Sequence, residues 1–399
     1  MAFSTTLLFG DSATALSIVQ TLSSVALQIG SLIFIPMLFV GVASGVASLR
    51  RHELGNKVHL TGIFWIVFTS ILLPVLAVCA FSIHPVMFPV TSSAGASSVS
   101  SYVLNAAKGV TGTAFGGNPF YTMAITSTFL LPLLVIAWLV GYALKPNVKV
   151  IIPAYVGFNS FSEVIFRISH YFTTFGYFLT YILATNLFLS LYNEKTIFVS
   201  APFLITILVI TALLVLVILP IIYLIITRQN PYKLLYRCLA ALISAVAGGN
   251  PNYTSPMIET LARHNLGVQK RIGATLTPVF AVFSKAGSAT MAALAMASIM
   301  YSATGEIPAL SILLVVALYS TLAGFGACTS VGYEVPFILF AVMKMCNISF
   351  YGAEMTLFGI LPLFTGLGYL IDTEIALMGL AIAGKFTKTS CPTLYGDIL

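Results

Sequence analysis

The residue with the most chemistry to explain is a lysine inside an apolar stretch. Lys285 stands in Ser284-Lys285-Ala286-Gly287-Ser288, between the apolar segments 272–283 and 291–300. An ammonium at the centre of a hydrocarbon span costs about 2.5–3.5 kcal/mol on insertion scales, so such a group faces a cavity and pairs with a carboxylate or with backbone carbonyls. Asp372 is a carboxylate in equally apolar surroundings, and Glu334 stands beside a glycine-rich break. A lysine held in such surroundings can give up its charge readily enough to exchange protons. A lysine that snorkels to water and only stabilises the fold is the structural alternative. Glu374 follows Asp372 by two residues, about 200° around a helix, so the two acids cannot address one ligand.

The surroundings of these groups are set by composition. The chain is 59% hydrophobic and 7% charged, with a mean hydropathy of +1.02, whereas about a quarter of the residues of soluble proteins are charged. It reads as an integral membrane protein whose partner is the lipid bilayer. The net charge of +7 falls in short clusters between apolar spans, as the positive-inside rule expects, and implies no nucleic acid. Five cysteines without paired spacing, and no His/Cys cluster, read as structural thiols with no metal and no cofactor. No nucleophile, base and orienter come together near the breaks, so no enzyme is expected. The first residues lack a basic n-region and read as mature sequence.

The first span is expected over 26–49, followed by the cytoplasmic basic loop Arg50 to Lys57. Residues 13–24 are too few for a separate span, which needs about 20 residues. Further spans are expected over 58–83, carrying Thr69 and Ser70, over 119–144, over 160–189 and over 201–227, with 91–117 as an external loop. The 160–189 span is long enough to tilt, and Glu163 and Arg167 stand four apart on one of its faces.

Then the pattern breaks. The apolar run 239–246 meets Gly248-Gly249-Asn250-Pro251-Asn252, which cannot continue a helix. Basic residues flank the segment on both sides, Arg228, Lys233 and Arg237 before it and Arg263, Lys270 and Arg271 after it. It therefore enters the membrane and turns back, a re-entrant hairpin over 231–262. With opposite polarity, 312–322 descends into the glycine-rich 323–332 and 335–345 returns, a second hairpin over 311–346. A last span over 357–383 ends at Lys385 and Lys388, placing the C-terminus in the cytoplasm. Irregular backbone at membrane depth persists only where protein or a water-filled cavity satisfies it. Opposed broken segments read as an inverted repeat around a midplane transport site.

These residues resemble the dicarboxylate/amino acid:cation symporters, the glutamate transporter family. Asn230-Pro231 through Thr254-Ser255-Pro256 is similar to that family's first hairpin. Leu266-Gly267-Val268, Arg271-Ile272 and Pro278 lead without a gap to its N-M-D-G-T motif, here Ser284 to Ser288. Pro36 to Leu49, Thr69-Ser70 and Ser162 to Arg167 are further landmarks, so the resemblance covers roughly 31–383. It implies an all-α membrane fold, glutamate transporter-like, with about seven transmembrane helices and two re-entrant hairpins. It also implies a homotrimer of elevator transporters in the plasma (inner) membrane. Residues 1–156 would give a scaffold region, with 58–90 in the transport part; 157–197 a scaffold and trimerisation helix; and 198–399 the transport part. The implied solute is a small amino acid or dicarboxylate, held among Asn250, Asn252, Thr254, Ala327, Thr329, Ser330, Asp372, Ile375 and Gly379. Asp372 matches the aspartate that receives an α-amino group.

The departures fall on ion and substrate ligands. Lys285 and Ala286 replace the family's methionine and aspartate, Ser284 its asparagine, and Gly379 and Ala383 an asparagine and a second aspartate. Sodium favours several hard oxygen ligands, so a site with fewer carboxylates and an added ammonium is expected to be sodium-independent. Lys285, flanked by Ser284 and Ser288, would take the cation's place. Ile375 stands where acidic-substrate members often place arginine, and Gly249 shows that the first hairpin supplies none. The fork that reads a second carboxylate is missing, so neutral amino acids join acidic ones as expected solutes. A passive anion channel and a non-transporting receptor of the same fold stay open as other readings.

Overall fold

The computed structural model describes residues 2, 13–89, 130–145, 147–193, 196–327, 332–346 and 353–387. Every regular element among them is helical. Helix α1 covers Ala13–Arg51, α2 Gly55–Ile83, α3 Leu131–Ala143 and α4 Ile152–Asn193. Next come α5 (Thr196–Leu213), a π-helical segment (Leu214–Ile218), α6 (Leu219–Thr227), α7 (Pro231–Arg237), α8 (Leu239–Gly248) and α9 (Pro251–His264). The chain continues with α10 (Lys270–Phe283), α11 (Ala286–Thr304), α12 (Leu310–Gly326), α13 (Glu334–Met345) and α14 (Ala353–Phe386). Among the described residues six stretches are long and apolar enough to cross a bilayer: Thr14–Arg51, Gly55–Ile83, Ile152–Tyr192, Ala201–Thr227, Lys270–Thr304 and Gly359–Phe386.

Helices α1 and α4 overrun the expected 26–49 and 160–189 at both ends. Hydropathy marks only the stretch that suits hydrocarbon, whereas the hydrogen-bond ladder runs on into polar sequence. Ser17, Thr21 and Ser24 return their hydroxyls to the carbonyls of Thr14, Ser17 and Thr21, so their polarity does not end α1. No separate helix forms over 13–24; those residues extend α1. The expected loop 91–117 and the first part of the 119–144 span lie outside the described residues.

Two Asn-Pro pairs start helices in the same way. Asn230 accepts hydrogen bonds from the Tyr232 and Lys233 amides at 2.9 and 3.4 Å ahead of Pro231. Asn250 accepts from the Asn252 amide at 2.8 Å ahead of Pro251. Each asparagine satisfies amides that the first helical turn leaves open, and proline at the first position loses nothing. Between α8 and α9 the chain turns at Gly249, whose φ of +52° is left-handed and disfavours any side chain. Helices α8 and α9 pack against each other, as do α12 and α13. All four are shorter than the roughly 20 residues a crossing needs.

Helices α1, α3 and α4 pack together, and α4 turns Tyr171, Phe175 and Tyr177 outward. The main core surrounds α11, buried from Ala286 to Ile299 and packed by α2, α12, α13 and α14. Helices α9 and α10 touch both groups, meeting α1 on one side and α14 on the other. Glu163 of α4 joins them at that boundary, pairing with Arg263 at 3.2 Å and Lys270 at 3.1 Å. Its i+4 neighbour Arg167, placed beside it by helical spacing, is not the ion-pair partner: cations on α9 and α10 reach the carboxylate instead.

Candidate functional site

Three breaks in helical backbone converge with α14. The break between α10 and α11 consists of Ser284, with φ −79° and ψ 92°, and Lys285, with φ −120° and ψ 24°. Lysine carries no acceptor, so it cannot cap the helix it begins, and the first amides of α11 need an acceptor from elsewhere. Asp372 on α14 supplies it. One carboxylate oxygen accepts from the Gly287 amide at 2.7 Å; the other accepts from the Ser288 amide at 3.4 Å and hydroxyl at 3.1 Å. A negative charge there also meets the positive end of the helix dipole. Gly287 permits the approach: a Cβ on it would lie 2.7 Å from the Ile371 Cβ and collide with the Gly368 carbonyl.

The Lys285 side chain runs the other way. Its ammonium donates to the Ala281 carbonyl at 3.0 Å and to Glu334 Oε1 at 2.9 Å, and lies 5.4 Å from the centre of the Tyr369 ring. Glu334 opens α13, and its second oxygen accepts from the Gly332 amide at 2.8 Å. The two charged side chains are 2% and 0% exposed. At such burial each charge is tolerable only because the other is present.

A cavity of about 20 Å³ lies beside these groups, between α9, α10 and α14. Space of that size holds about one water. Thr254, Ser255, Ser284, Lys285, Asp372 and Thr373 give it polar walls; Ile258, Phe280 and Ala376 give it apolar ones. The Ser255 and Ser284 hydroxyls are buried without a hydrogen-bond partner. Of the residues expected at the site, Thr254, Ser284, Lys285 and Asp372 line this cavity and Ser288 binds Asp372. The others are placed apart from it. Asn250 caps α9, and the Asn252 amide turns to Ser31 of α1 at 3.3 Å. The Ile375 carbonyl accepts from the Trp65 indole at 2.9 Å, and Gly379 lies against Phe280 and Trp65. Ala327 closes α12, while Thr329 and Ser330 lie outside the described residues. Thr69 bonds within its own helix, and the Ser70 carbonyl accepts from Thr321.

Sequence reasoning missed Ser255, Phe280, Tyr369 and Thr373. The last two were readable, since Tyr369 stands three residues before Asp372 and four before Thr373 on one face of α14. It also missed that Glu334 is the partner of Lys285.

Two larger hollows bring none of these groups together. One of about 350 Å³ is lined by Ser44, Ser48, His52, Asn159, Lys270 and Arg271. Burial and the guanidinium groups of Arg271 and Arg51 hold His52 below the usual imidazole range, while Glu163 engages Lys270 and Gln269 engages Arg271. The other, about 640 Å³, is apolar and lies between α1, α3 and α4. Among the described residues no three His, Cys, Asp or Glu side chains form a metal-binding group.

A profile described as the sodium:dicarboxylate symporter family matches residues 1–373. The chain belongs to the sodium:dicarboxylate symporter family. Curated relatives include excitatory amino acid transporter 1 of Rattus norvegicus, 36% identical over 92 residues, and that of Homo sapiens, 35% identical over 92 residues. Each match covers 23% of this chain and 17% of the relative, so the chain spans less than a fifth of the length of these relatives. Together with its long apolar helices, membership makes this family member an integral, multi-pass membrane protein of a transport family.

Proposed function

We propose that the protein is a sodium-independent secondary transporter of a small neutral amino acid. The observation that carries the reading is the buried Lys285–Glu334 contact at 2.9 Å. A permanent ammonium fastens α13 to the broken α10–α11 span, which is the work a bound cation would do. Because Glu334 neutralises Lys285, no free cation is left in the cavity to receive a second substrate carboxylate. The α-ammonium of the solute pairs with the Asp372 oxygen that holds Ser288 by its longer bonds. Its α-carboxylate meets the unpartnered Ser255 and Ser284 hydroxyls, and its side chain rests on Ile258, Phe280 and Ala376. The cavity, about 20 Å³, must open before any amino acid enters.

In this reading 198–399, with 58–90, forms the transport part, carrying the hairpins 231–262 and 311–346. It slides as an elevator on a scaffold of the remaining 1–156 and of 157–197, which also makes a homotrimer. The protein sits in the plasma (inner) membrane with its C-terminus in the cytoplasm. Packing of α2 on α11, α12 and α14 supports that division.

The test is uptake of labelled L-alanine, L-serine and L-aspartate into liposomes holding the purified protein, in sodium, in choline and under a pH gradient. Saturable uptake of alanine or serine, equal in sodium and choline, is expected. Uptake of aspartate alone, or uptake that needs sodium, overturns the proposal; unsaturable chloride flux without amino acid exchange makes the protein a channel.

A further inference from the structure

Glu374 has no place in the site just described. Two residues beyond Asp372, it points about 200° away from it around α14. It is 0% exposed, and both its carboxylate oxygens lack a hydrogen-bond partner. None of the ion pairs among the described residues includes it. The residues above and below it on the same face are Leu367, Leu370, Met378 and Ala381.

Apolar helices also pack on α14 along this stretch. The Phe203 and Phe364 rings stack at 5.6 Å, and α14 packs along α5, the π segment and α6 in turn. Ten residues on, about 15 Å down each helix at 1.5 Å per residue, Glu374 comes level with Leu213 and the start of the π segment. π segments inside α-helices are frequent at functional positions. The stretch from α5 through α6, and likewise α8, contains no Asp, Glu, Lys, Arg or His; its titratable side chain is Tyr223. Helix α2 meets α14 with Trp65 at Ile375, α11 meets it at Asp372, and α9 and α10 meet it across the cavity. The charged and imidazole groups on the other helices packed on α14 are Lys57 and His59 of α2, Glu163, Arg167 and His170 of α4, Glu259, Arg263 and His264 of α9, Lys270 and Arg271 of α10, and Glu334 and Lys344 of α13. Glu163 pairs with Arg263 and Lys270, Glu259 with Arg263 and Glu334 with Lys285, and none of the ion pairs reaches Glu374.

A bare carboxylate in such surroundings, without donor or counter-charge, is not stable at membrane depth. A metal cation is no remedy, because it demands several oxygen ligands and this face offers one side chain. A proton needs only one oxygen. We propose that Glu374 is a proton-binding site: the carboxyl crosses as a neutral acid on the face of α14 that turns away from the solute. A proton from water bonds to one carboxylate oxygen when that face is wetted, and the same O–H bond breaks when it is wetted on the other side. No further reactant is needed. The coupling role rests on the transporter reading above; the protonation does not.

The experiment pairs two readouts on the purified protein and its Glu374→Gln variant, which keeps the volume and neutrality of the acid. In infrared difference spectra on alkaline titration, the wild type is expected to show a buried carboxylic C=O band that Glu374→Gln lacks; the same band in both overturns the proposal. In liposomes, inward proton flux reported by an internal pH dye is expected to accompany wild-type uptake of alanine or serine. Glu374→Gln should still exchange internal for external solute, yet lose pH-driven accumulation entirely. Accumulation retained in Glu374→Gln overturns the coupling. If the wild type moves neither amino acid, the transporter reading falls and the infrared band alone decides whether Glu374 holds a proton.

Discussion

Lys285 and Glu334, 49 residues apart in the chain, meet at 2.9 Å with neither side chain open to solvent. One belongs to the break in a long span and the other to the first turn of α13, so the contact ties that break to the start of a helix distant in the chain. Removing either partner leaves a bare charge in the interior, which costs about 3–5 kcal/mol.

Lys285→Met and Glu334→Gln should therefore each destabilise the detergent-solubilised protein by about that amount. The double variant should recover most of the loss, since replacing a buried ion pair by neutral groups is often tolerated. Thermal unfolding of the three variants checks this. Strictly additive losses would show that the two residues do not depend on each other.

Asp372→Asn keeps the shape of the acid but offers one acceptor where two are used, and turns an amide donor toward the amides of α11. Hydrogen bonds to charged groups are worth about 1.5–3 kcal/mol each, so a loss of about 2–3 kcal/mol is expected. Uptake should disappear, because the same carboxylate is the proposed partner of the solute ammonium. Thermal stability and uptake are measured on one preparation; a variant as stable as the parent would remove the capping role.

Gly287→Ala tests the contact between α11 and α14. The added methyl would meet backbone at Gly368 as well as the Ile371 side chain, and backbone cannot swing aside. Overpacking of that kind costs about 1–3 kcal/mol. A lower unfolding temperature and weaker solute binding are expected together, since the methyl pushes Asp372 away from Ser288.

Glu163 links α4 to α9 and α10 through Arg263 and Lys270, but its side chain is 40% exposed. Exposed pairs contribute about 0–1 kcal/mol, so Glu163→Gln should barely change unfolding. Under the proposed sliding motion this contact would break in every cycle, and its removal should raise the rate of solute exchange. An unchanged rate with unchanged stability would assign the cluster no part in the motion.

Much of this arrangement was legible in the chain because backbone interruptions are local. Gly249 and the Asn-Pro pairs announce a helix end by their own conformational limits, the Ser284-Lys285 step by its polarity inside an apolar run, and the structure breaks there. Helix length was less legible: apolar windows report the hydrocarbon-facing part, and α1 and α4 continue beyond it. Side-chain partners were least legible. Spacing put Glu163 beside Arg167, yet Arg263 and Lys270 supply its partners, and depth alone did not say which carboxylate would meet Lys285. The π-helical Leu214–Ile218 is wholly apolar and carries no residue that would announce it.

The void between α9, α10 and α14 has room for about one water, far less than an amino acid needs. On the proposed transport reading, the rate at which cargo gets in would then be governed by how often these walls swing apart rather than by how fast solute diffuses to them.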